Sequence, residues 1–320
     1  MNKRILVTGG TGFVGRALLT RLIAQGQEIR AATRIAGAIE GVQYSPIVDI
    51  GPTTDWSRAL EGISFVVHLA ARAHQLDDAA NDSLERHRNI NTSGTVRLAQ
   101  QALQAGVRRF IYLSTAKIYG EFSTRPFGES DVPNPRGAYA LSKLEAEEAL
   151  VQIGTNSRME IVILRPPLIY GPGVAANFLL LMQHVAQERW LPLGSIRNER
   201  SLVGLNNLLD AIRLCITHPN AAGERFNVCD ARPLSTPQLV EELAYALGVK
   251  ARLVDVPAPL LRAAAVATGR QAAADRLMSS FTVDSSRLHE KLGWEPRSMR
   301  EELESTVRWY RNQSGYEFCG

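Results

Sequence analysis

Thr8-Gly9-Gly10-Thr11-Gly12-Phe13-Val14-Gly15 follows a short apolar run, Ile5 to Val7, and opens a helical period that extends to about residue 25. Strand, glycine loop and helix in that order are what a dinucleotide-binding turn requires. Gly9, Gly12 and Gly15 are spaced G-x-x-G-x-x-G, not the G-x-G-x-x-G of the general fingerprint. The loop still lets backbone N–H groups and a helix N-terminus approach a pyrophosphate, because no Cβ stands in the way. A ligand-free glycine turn is the competing explanation, and the strand-loop-helix context argues against it. Gly9, Gly12, Phe13, Val14 and Gly15 are therefore the expected cofactor cradle.

Working outward, short apolar β-rich runs recur at Ile29 to Ala32, Gln43 to Val48, Phe65 to Leu69, Phe110 to Leu113 and Ile161 to Leu164. Helical periods separate them at about 13–25, 84–105 and 139–153. Nearly all-apolar strands alternating with helices predict an α/β fold, a doubly wound parallel (Rossmann) sheet covered on both faces. After Pro166-Pro167 the pattern loosens, with turn clusters at Gly171-Pro172-Gly173 and Leu191-Pro192-Leu193-Gly194 and helices near 236–247 and 300–311. Residues 1–165 are expected to form the dinucleotide-binding domain. Residues 166–320 should form mainly a smaller α/β substrate-binding subdomain, with some segments returning to the first. No repeat or polar linker separates them, so a shared cleft is the expected site.

The second strand ends Ala31-Ala32-Thr33-Arg34, with no carboxylate for a ribose 2′-hydroxyl. An arginine there favours a 2′-phosphate and hence NADP over NAD, although a solvated loop charge would read the same way. Tyr139-Ala140-Leu141-Ser142-Lys143 is a Tyr-x-x-x-Lys, which puts both side chains on one helix face. There an ammonium can lower the phenol's pKa and make the tyrosine a usable acid or base. Alone the spacing is common by chance; with the glycine loop and Ser114-Thr115 at a strand end, in this order, it is specific.

These pieces, together with Val48-Asp49-Ile50, His68-Leu69-Ala70-Ala71, Asn91-Thr92-Ser93-Gly94-Thr95 and the run Leu164 to Gly173, resemble the NAD-dependent epimerase/dehydratase family of extended short-chain dehydrogenases over nearly the whole chain. The resemblance implies that Asp49 and Ile50 contact the adenine, Ala70, Ala71 and Pro166 line the cofactor, and Tyr139, Lys143 and Thr115 carry catalysis. Lys143 would also hold the nicotinamide ribose. Asn177 beside Phe178 would meet the uridine of a UDP-sugar substrate, Arg200 its diphosphate and Lys117 the sugar. A homodimer is implied by resemblance alone.

Dehydratases of the family resemble one another in an acidic pair after the catalytic Ser/Thr; here Ala116 and Lys117 stand there, so elimination of water lacks its acid and base. A C4 ketoreductase and a C4 epimerase share the same triad. Arg34, Lys117 and a likeness to UDP-N-acetylquinovosamine 4-dehydrogenases of surface-polysaccharide pathways put the reductase first, on a 6-deoxy, N-acetylated hexose. A dinucleotide-binding sensor without chemistry is the third reading, disfavoured by the intact tyrosine and lysine.

Composition bounds the rest. A formal net charge of +4 comes without a Lys/Arg block, so nucleic acid is not an expected partner. Three cysteines, Cys215, Cys229 and Cys319, without C-x-x-C spacing point to a reducing, cytoplasmic compartment, and Arg4 to Val7 begins a strand where a signal peptide would lie. Apolar stretches at Phe178–Met182 and Leu260–Ala267 fall well short of the roughly 20 residues of a membrane span. None of the six histidines is paired at ligand spacing, and Gly293 occupies the second histidine's place after His289-Glu290, so no metal is expected.

Overall fold

Residues of alternate parity in the apolar runs face opposite ways, and both sets are buried. Ile5, Val7, Val67, Ile111 and Val162 join one core cluster, while Leu6, Val66, Phe110, Tyr112, Ile161 and Ile163 join another. A sheet apolar on both faces needs a helical layer on each. The computed structural model, which describes residues 4–34, 39–73, 80–269 and 271–314, has that architecture. His74 and Cys319 lie outside the described residues.

The strands are β1 (Ile5–Thr8), β2 (Ile29–Thr33), β3 (Gln43–Pro46), β4 (Phe65–His68), β5 (Arg109–Leu113), β6 (Glu160–Arg165), β7 (Leu168–Tyr170), β8 (Leu202–Gly204) and β9 (Arg225–Asn227). The helices are α1 (Phe13–Ala24), α2 (Ser57–Leu60), α3 (Ala80–His87), α4 (Thr95–Gln104), α5 (Gly137–Thr155), α6 (Ala176–Ala186), α7 (Leu205–Thr217), α8 (Thr236–Leu247), α9 (Ala258–Ala267), α10 (Gln271–Met278), α11 (Ser286–Leu292) and α12 (Met299–Ser314). A seven-stranded sheet runs β3-β2-β1-β4-β5-β6-β9 with every neighbouring pair parallel. The strand order reverses between β1 and β4, and in open α/β sheets ligands bind beyond the strands' C-terminal ends at such a switch point.

Leu18 and Leu22 of α1 and Leu208 and Ile212 of α7 pack on one face of the sheet; Leu98 of α4 and Ala146 and Leu150 of α5 pack on the other. Burying each such leucine is worth about 1.5–3 kcal/mol, so these faces fix the sheet firmly. Three segments of the second half lie with the first: β9 extends the sheet beside β6, α7 packs against α1 and β5, and Leu288, Leu292 and Trp294 at α11 join the same core beside β9. Elsewhere the second half forms its own layer, in which β7 and β8 pair in parallel and Phe178, Met182, Val240, Leu243, Leu303 and Val307 share a core. Ser235 and Gln238 close a capping box at the start of α8, and Gly248 ends it in the left-handed region.

Two expectations are corrected. The third strand stops at Pro46, not Val48, because β2, its partner among the described residues, ends at Thr33; Val48 is 96% exposed. The helix expected over 84–105 is interrupted by a π-helical turn, Arg88–Gly94, between α3 and α4. Among the described residues no helix is long and apolar enough to cross a membrane.

Candidate active site

The glycine loop closes over the C-terminal end of β1, and each glycine has its own reason. Gly9 takes φ +70°, and a Cβ there would lie 2.7 Å from the Ala70 nitrogen, on the loop that leaves β4 across the switch point. A Cβ on Gly15 would lie 2.1 Å from the Gly9 carbonyl oxygen, so its absence lets α1 sit directly on the loop. Gly12 faces open space on its outer side, its nearest neighbour being the Gly9 oxygen at 3.3 Å. No side chain caps the N-terminus of α1. Its N–H groups and positive dipole end, beside an exposed Thr11-Gly12, form a cradle suited to a dinucleotide pyrophosphate.

The other expected cofactor contacts border the same edge of the sheet. Arg34 is exposed directly after β2. Asp49 accepts the Ile50 N–H at 2.7 Å, while Ile50 packs toward Gly94, where a Cβ would come within 2.7 Å of it. Ala70 donates its N–H to the Thr8 hydroxyl at 3.4 Å, Ala71 is exposed, and Pro166 follows β6 and accepts the Ala116 N–H at 2.8 Å.

Below this edge His68, fully buried at the end of β4, ties three elements together. Its Nδ1 lies 2.6 Å from the Thr8 hydroxyl and its Nε2 2.9 Å from the Thr95 hydroxyl. Burial, reinforced by the positive charge of Lys143, pushes its pKa down to about 3, so it is a neutral anchor. The unfolded chain takes up this proton near 6.5 and the folded protein only near 3, so stability is complete above pH 6.5 and falls on acidification toward 3. Between pH 6.5 and 5 His68 should account for about 2 kcal/mol of lost stability. Urea unfolding at the two pH values should show this loss in the wild type and not in His68→Asn; equal losses in both would contradict it.

The chemistry gathers where β5 ends and α5 begins. Thr115, buried, accepts the Lys117 N–H at 3.2 Å, and its side chain stands near enough to the Tyr139 phenol to favour the phenolate. Lys143, one turn along α5, is 1% exposed and donates to the Leu113 carbonyl at 2.6 Å, with its ammonium 4.0 Å from the centre of the Tyr112 ring. Burial pushes Lys143 down to about 7, opposed by Glu147. Burial also pushes the Tyr139 phenol up to about 12, opposed by Thr115. The lowering expected from Tyr-x-x-x-Lys spacing is thus corrected: in this arrangement desolvation governs the phenol, and Lys143 is directed to a carbonyl.

Two partners of this centre had no role in the sequence reading. Asn91, buried on the π-helical turn, accepts the Arg72 N–H at 2.8 Å and donates to the Arg72 carbonyl at 3.1 Å and to Ser142 Oγ at 3.0 Å. Ser142 in turn donates to the Tyr139 carbonyl at 2.9 Å. The extra residue of the π turn aims Asn91 between the loop after β4 and the catalytic helix, a use such turns often serve. Asn91→Leu should destabilise the protein by about 2–3 kcal/mol in chemical denaturation by orphaning buried groups. Second, Glu147, a further turn along α5, receives Arg165 of β6 through contacts of 2.6 to 3.2 Å, both side chains buried. Arg165 also donates to the Tyr119 hydroxyl at 2.7 Å. The only signal for this pair was a charged residue closing an apolar strand.

Of the expected substrate contacts, Lys117 follows Thr115 in the first half, and Asn177 and Arg200 lie in the second. Lys117 is exposed, 3.9 Å from Glu121. Asn177 is exposed in the first turn of α6, next to Ala176, whose φ of 54° is rare for a residue with a Cβ. Phe178 is buried against Tyr170, ring centres 5.3 Å apart. Arg200 lies on a strip bridged to Leu234 and Phe281, and its guanidinium donates to the Ser279 carbonyl at 2.9 Å. Among the described residues no group of three His, Cys, Asp or Glu gathers as a metal site. Cys215 and Cys229 are buried.

A parallel sheet with a glycine cradle at its switch point, and a Thr-Tyr-Lys centre two strands away, defines a dinucleotide-dependent enzyme of the short-chain dehydrogenase type. The chain belongs to the NAD dependent epimerase/dehydratase family, whose model matches residues 5–229. It is similar to a UDP-glucose 4-epimerase of Vibrio cholerae, 42% identical over 313 residues, covering 96% of this chain and 95% of the relative. It is 28% identical to a GDP-6-deoxy-D-mannose reductase of Pseudomonas aeruginosa, over 96% of this chain and 99% of that one. Among solved structures, a UDP-glucuronic acid 4-epimerase from Bacillus cereus in complex with NAD shares the fold with a TM-score of 0.78 at 21% identity, covering 97% of this chain and 99% of that chain.

Proposed function

We propose that this enzyme inverts C4 of a UDP-linked hexose, and the observation that carries the reading is the 42% identity to a named UDP-glucose 4-epimerase across 96% of the chain. The order expected from sequence, reductase first, is thereby reversed. Tyr139 accepts the C4 hydroxyl proton and later returns it, Thr115 holds the same oxygen, and Lys143 anchors the nicotinamide ribose. A dinucleotide held by the glycine loop and Lys143 would supply the site that takes and gives back a hydride. Ala116 and Lys117 bring no carboxylate beside Thr115, which supports C4 chemistry without loss of water. Asn177 and Arg200 are the proposed contacts to the uridine and the diphosphate; a guanidinium fork suits the latter.

A second reading, a C4 ketoreductase of a UDP-linked 6-deoxy, N-acetylated hexose, is supported by Arg34, which favours NADP, and by the 28% identity to a reductase. Both readings put the enzyme in the cytoplasm as a homodimer, in precursor synthesis for surface polysaccharide. Purified protein is offered UDP-glucose or UDP-N-acetylglucosamine without added cofactor, and separately a UDP-4-keto-6-deoxy-N-acetylhexosamine with NADPH or NADH. Interconversion of C4 epimers without net cofactor loss is expected. Stoichiometric loss of reduced nicotinamide with the keto sugar, and no epimerisation, would make the enzyme a reductase.

A further inference from the structure

Thr115 and Tyr139 reach the same place from two different elements. Tyr139 and Lys143 ride on α5, while Thr115 opens a 3₁₀ turn, Ala116–Tyr119. Both ends of that turn are held by consecutive residues at the end of β6. The Pro166 carbonyl accepts the Ala116 N–H at 2.8 Å, and the Arg165 guanidinium donates through Nη1 to the Tyr119 hydroxyl at 2.7 Å. That hydroxyl spends its own proton on Asn227 at 3.0 Å, so its orientation is fixed. Arg165 is held in turn by α5: its Nε and Nη2 reach the Glu147 carboxylate at 2.6 to 3.2 Å, two turns after Tyr139 and one after Lys143. Nη1 also donates at 3.2 Å to the Glu129 carbonyl, on the loop that runs from the turn to α5. One guanidinium thus touches both elements of the centre and the loop between them.

Stability alone does not account for such a pair. The Arg165 and Glu147 side chains are 4% and 3% exposed, and the cost of taking both charges out of water offsets much of their attraction. Apolar residues of similar volume often replace a buried pair without loss of stability. What they cannot replace is direction, because a planar fork sets the angles among the carboxylate, the hydroxyl and the carbonyl it serves. We propose that Arg165, held by Glu147, is a positioning residue: through Tyr119 it sets the turn that follows Thr115 against α5, and with it the separation of the Thr115 hydroxyl from the Tyr139 phenol. The inference rests on the C4 chemistry proposed above, in either of its two forms, since both need these two groups on one sugar oxygen. Tyr119 is the link that can be cut cleanly. Its ring stacks on Phe127 with centres 5.0 Å apart, so loss of the hydroxyl leaves the turn packed but no longer tethered to Arg165.

Tyr119→Phe, and the apolar pair Glu147→Leu with Arg165→Met, are compared with the wild type in whichever C4 assay the wild type turns over, and each is also made in a Tyr139→Phe background. A misplacement of about 1 Å can cost about 100-fold, so the apolar pair should lower kcat by about that much and Tyr119→Phe by about ten-fold. KM for the nucleotide sugar and the affinity for reduced nicotinamide should stay within about two-fold of wild type, because those contacts are made elsewhere. The apolar pair also removes the charge that opposes the lowering of Lys143, whereas Tyr119→Phe leaves it in place, so a loss seen in both belongs to geometry. In the Tyr139→Phe background neither change should cost more than about two-fold, since the contact being positioned is already gone. A Tyr119→Phe enzyme within about two-fold of wild-type kcat, or losses that multiply in full with that of Tyr139→Phe, overturns the proposal and leaves Arg165 with a purely structural role. A wild type that performs neither C4 reaction refutes the function proposed above, and the positioning role with it.

Discussion

Replacing Tyr139 by phenylalanine should lower kcat by about 10²–10⁴-fold, the usual contribution of a positioned acid or base, with dinucleotide affinity little changed. Only one oxygen is lost, the one the Thr115 side chain stands beside. The ring contact with His87, 6.4 Å between centres, survives the change. Stopped-time turnover and a fluorescence titration of reduced nicotinamide separate the two effects; turnover above about a tenth of wild type would remove Tyr139 from the chemistry. Burial is the first cause of both values, the phenol held near 12 and the lysine near 7.

Gly15→Val should be the most damaging single change in the cofactor cradle. Its Cβ would meet the Gly9 oxygen at 2.1 Å and the Gly10 Cα at 2.8 Å, and both are backbone atoms that cannot swing aside. Helix α1 must then lift from the loop, at a cost of about 3 kcal/mol, with dinucleotide binding weakened by more than about 100-fold. Gly12→Ala offers the contrast. Its Cβ meets one backbone oxygen at 3.3 Å and otherwise points into the cradle, and its φ of −78° suits alanine. Urea unfolding should be nearly unchanged and binding still weakened; a parallel loss of stability and binding in both variants would show that the loop is merely structural.

The sheet was legible because its buried strands are continuous apolar runs, and the catalytic centre because Thr115, Tyr139 and Lys143 keep an order that folding turns into proximity. What sequence left out shares one physical feature. The π turn adds a single residue to an unbroken helical period, so the pattern over 84–105 reads as one helix and Asn91 as one more polar position. Strands β7, β8 and β9 are three residues each, too short for alternation to register. The Tyr139 pKa depends on depth of burial and on where the Lys143 ammonium is directed, and i,i+4 spacing carries neither. The stretch at Leu260–Ala267 was visible as apolar, but whether such a helix is inside or outside is a property of its neighbours.

Strand β9 bears on how members of this family could be recombined. A chimera that takes residues 1–165 from this chain and the remainder from a relative is meant to exchange only the substrate lobe. It would also exchange the sheet's outermost strand, whose register matches Ile163 to Arg225 and Arg165 to Asn227, and with it Asn227, which accepts from the Tyr119 hydroxyl at 3.0 Å. Cut without a replacement, β6 would present an open edge to other chains. A functional swap therefore needs three junctions, one after Pro166, one before Leu205 and one after Asn227, so that α7 and β9 stay with the parent that owns the sheet.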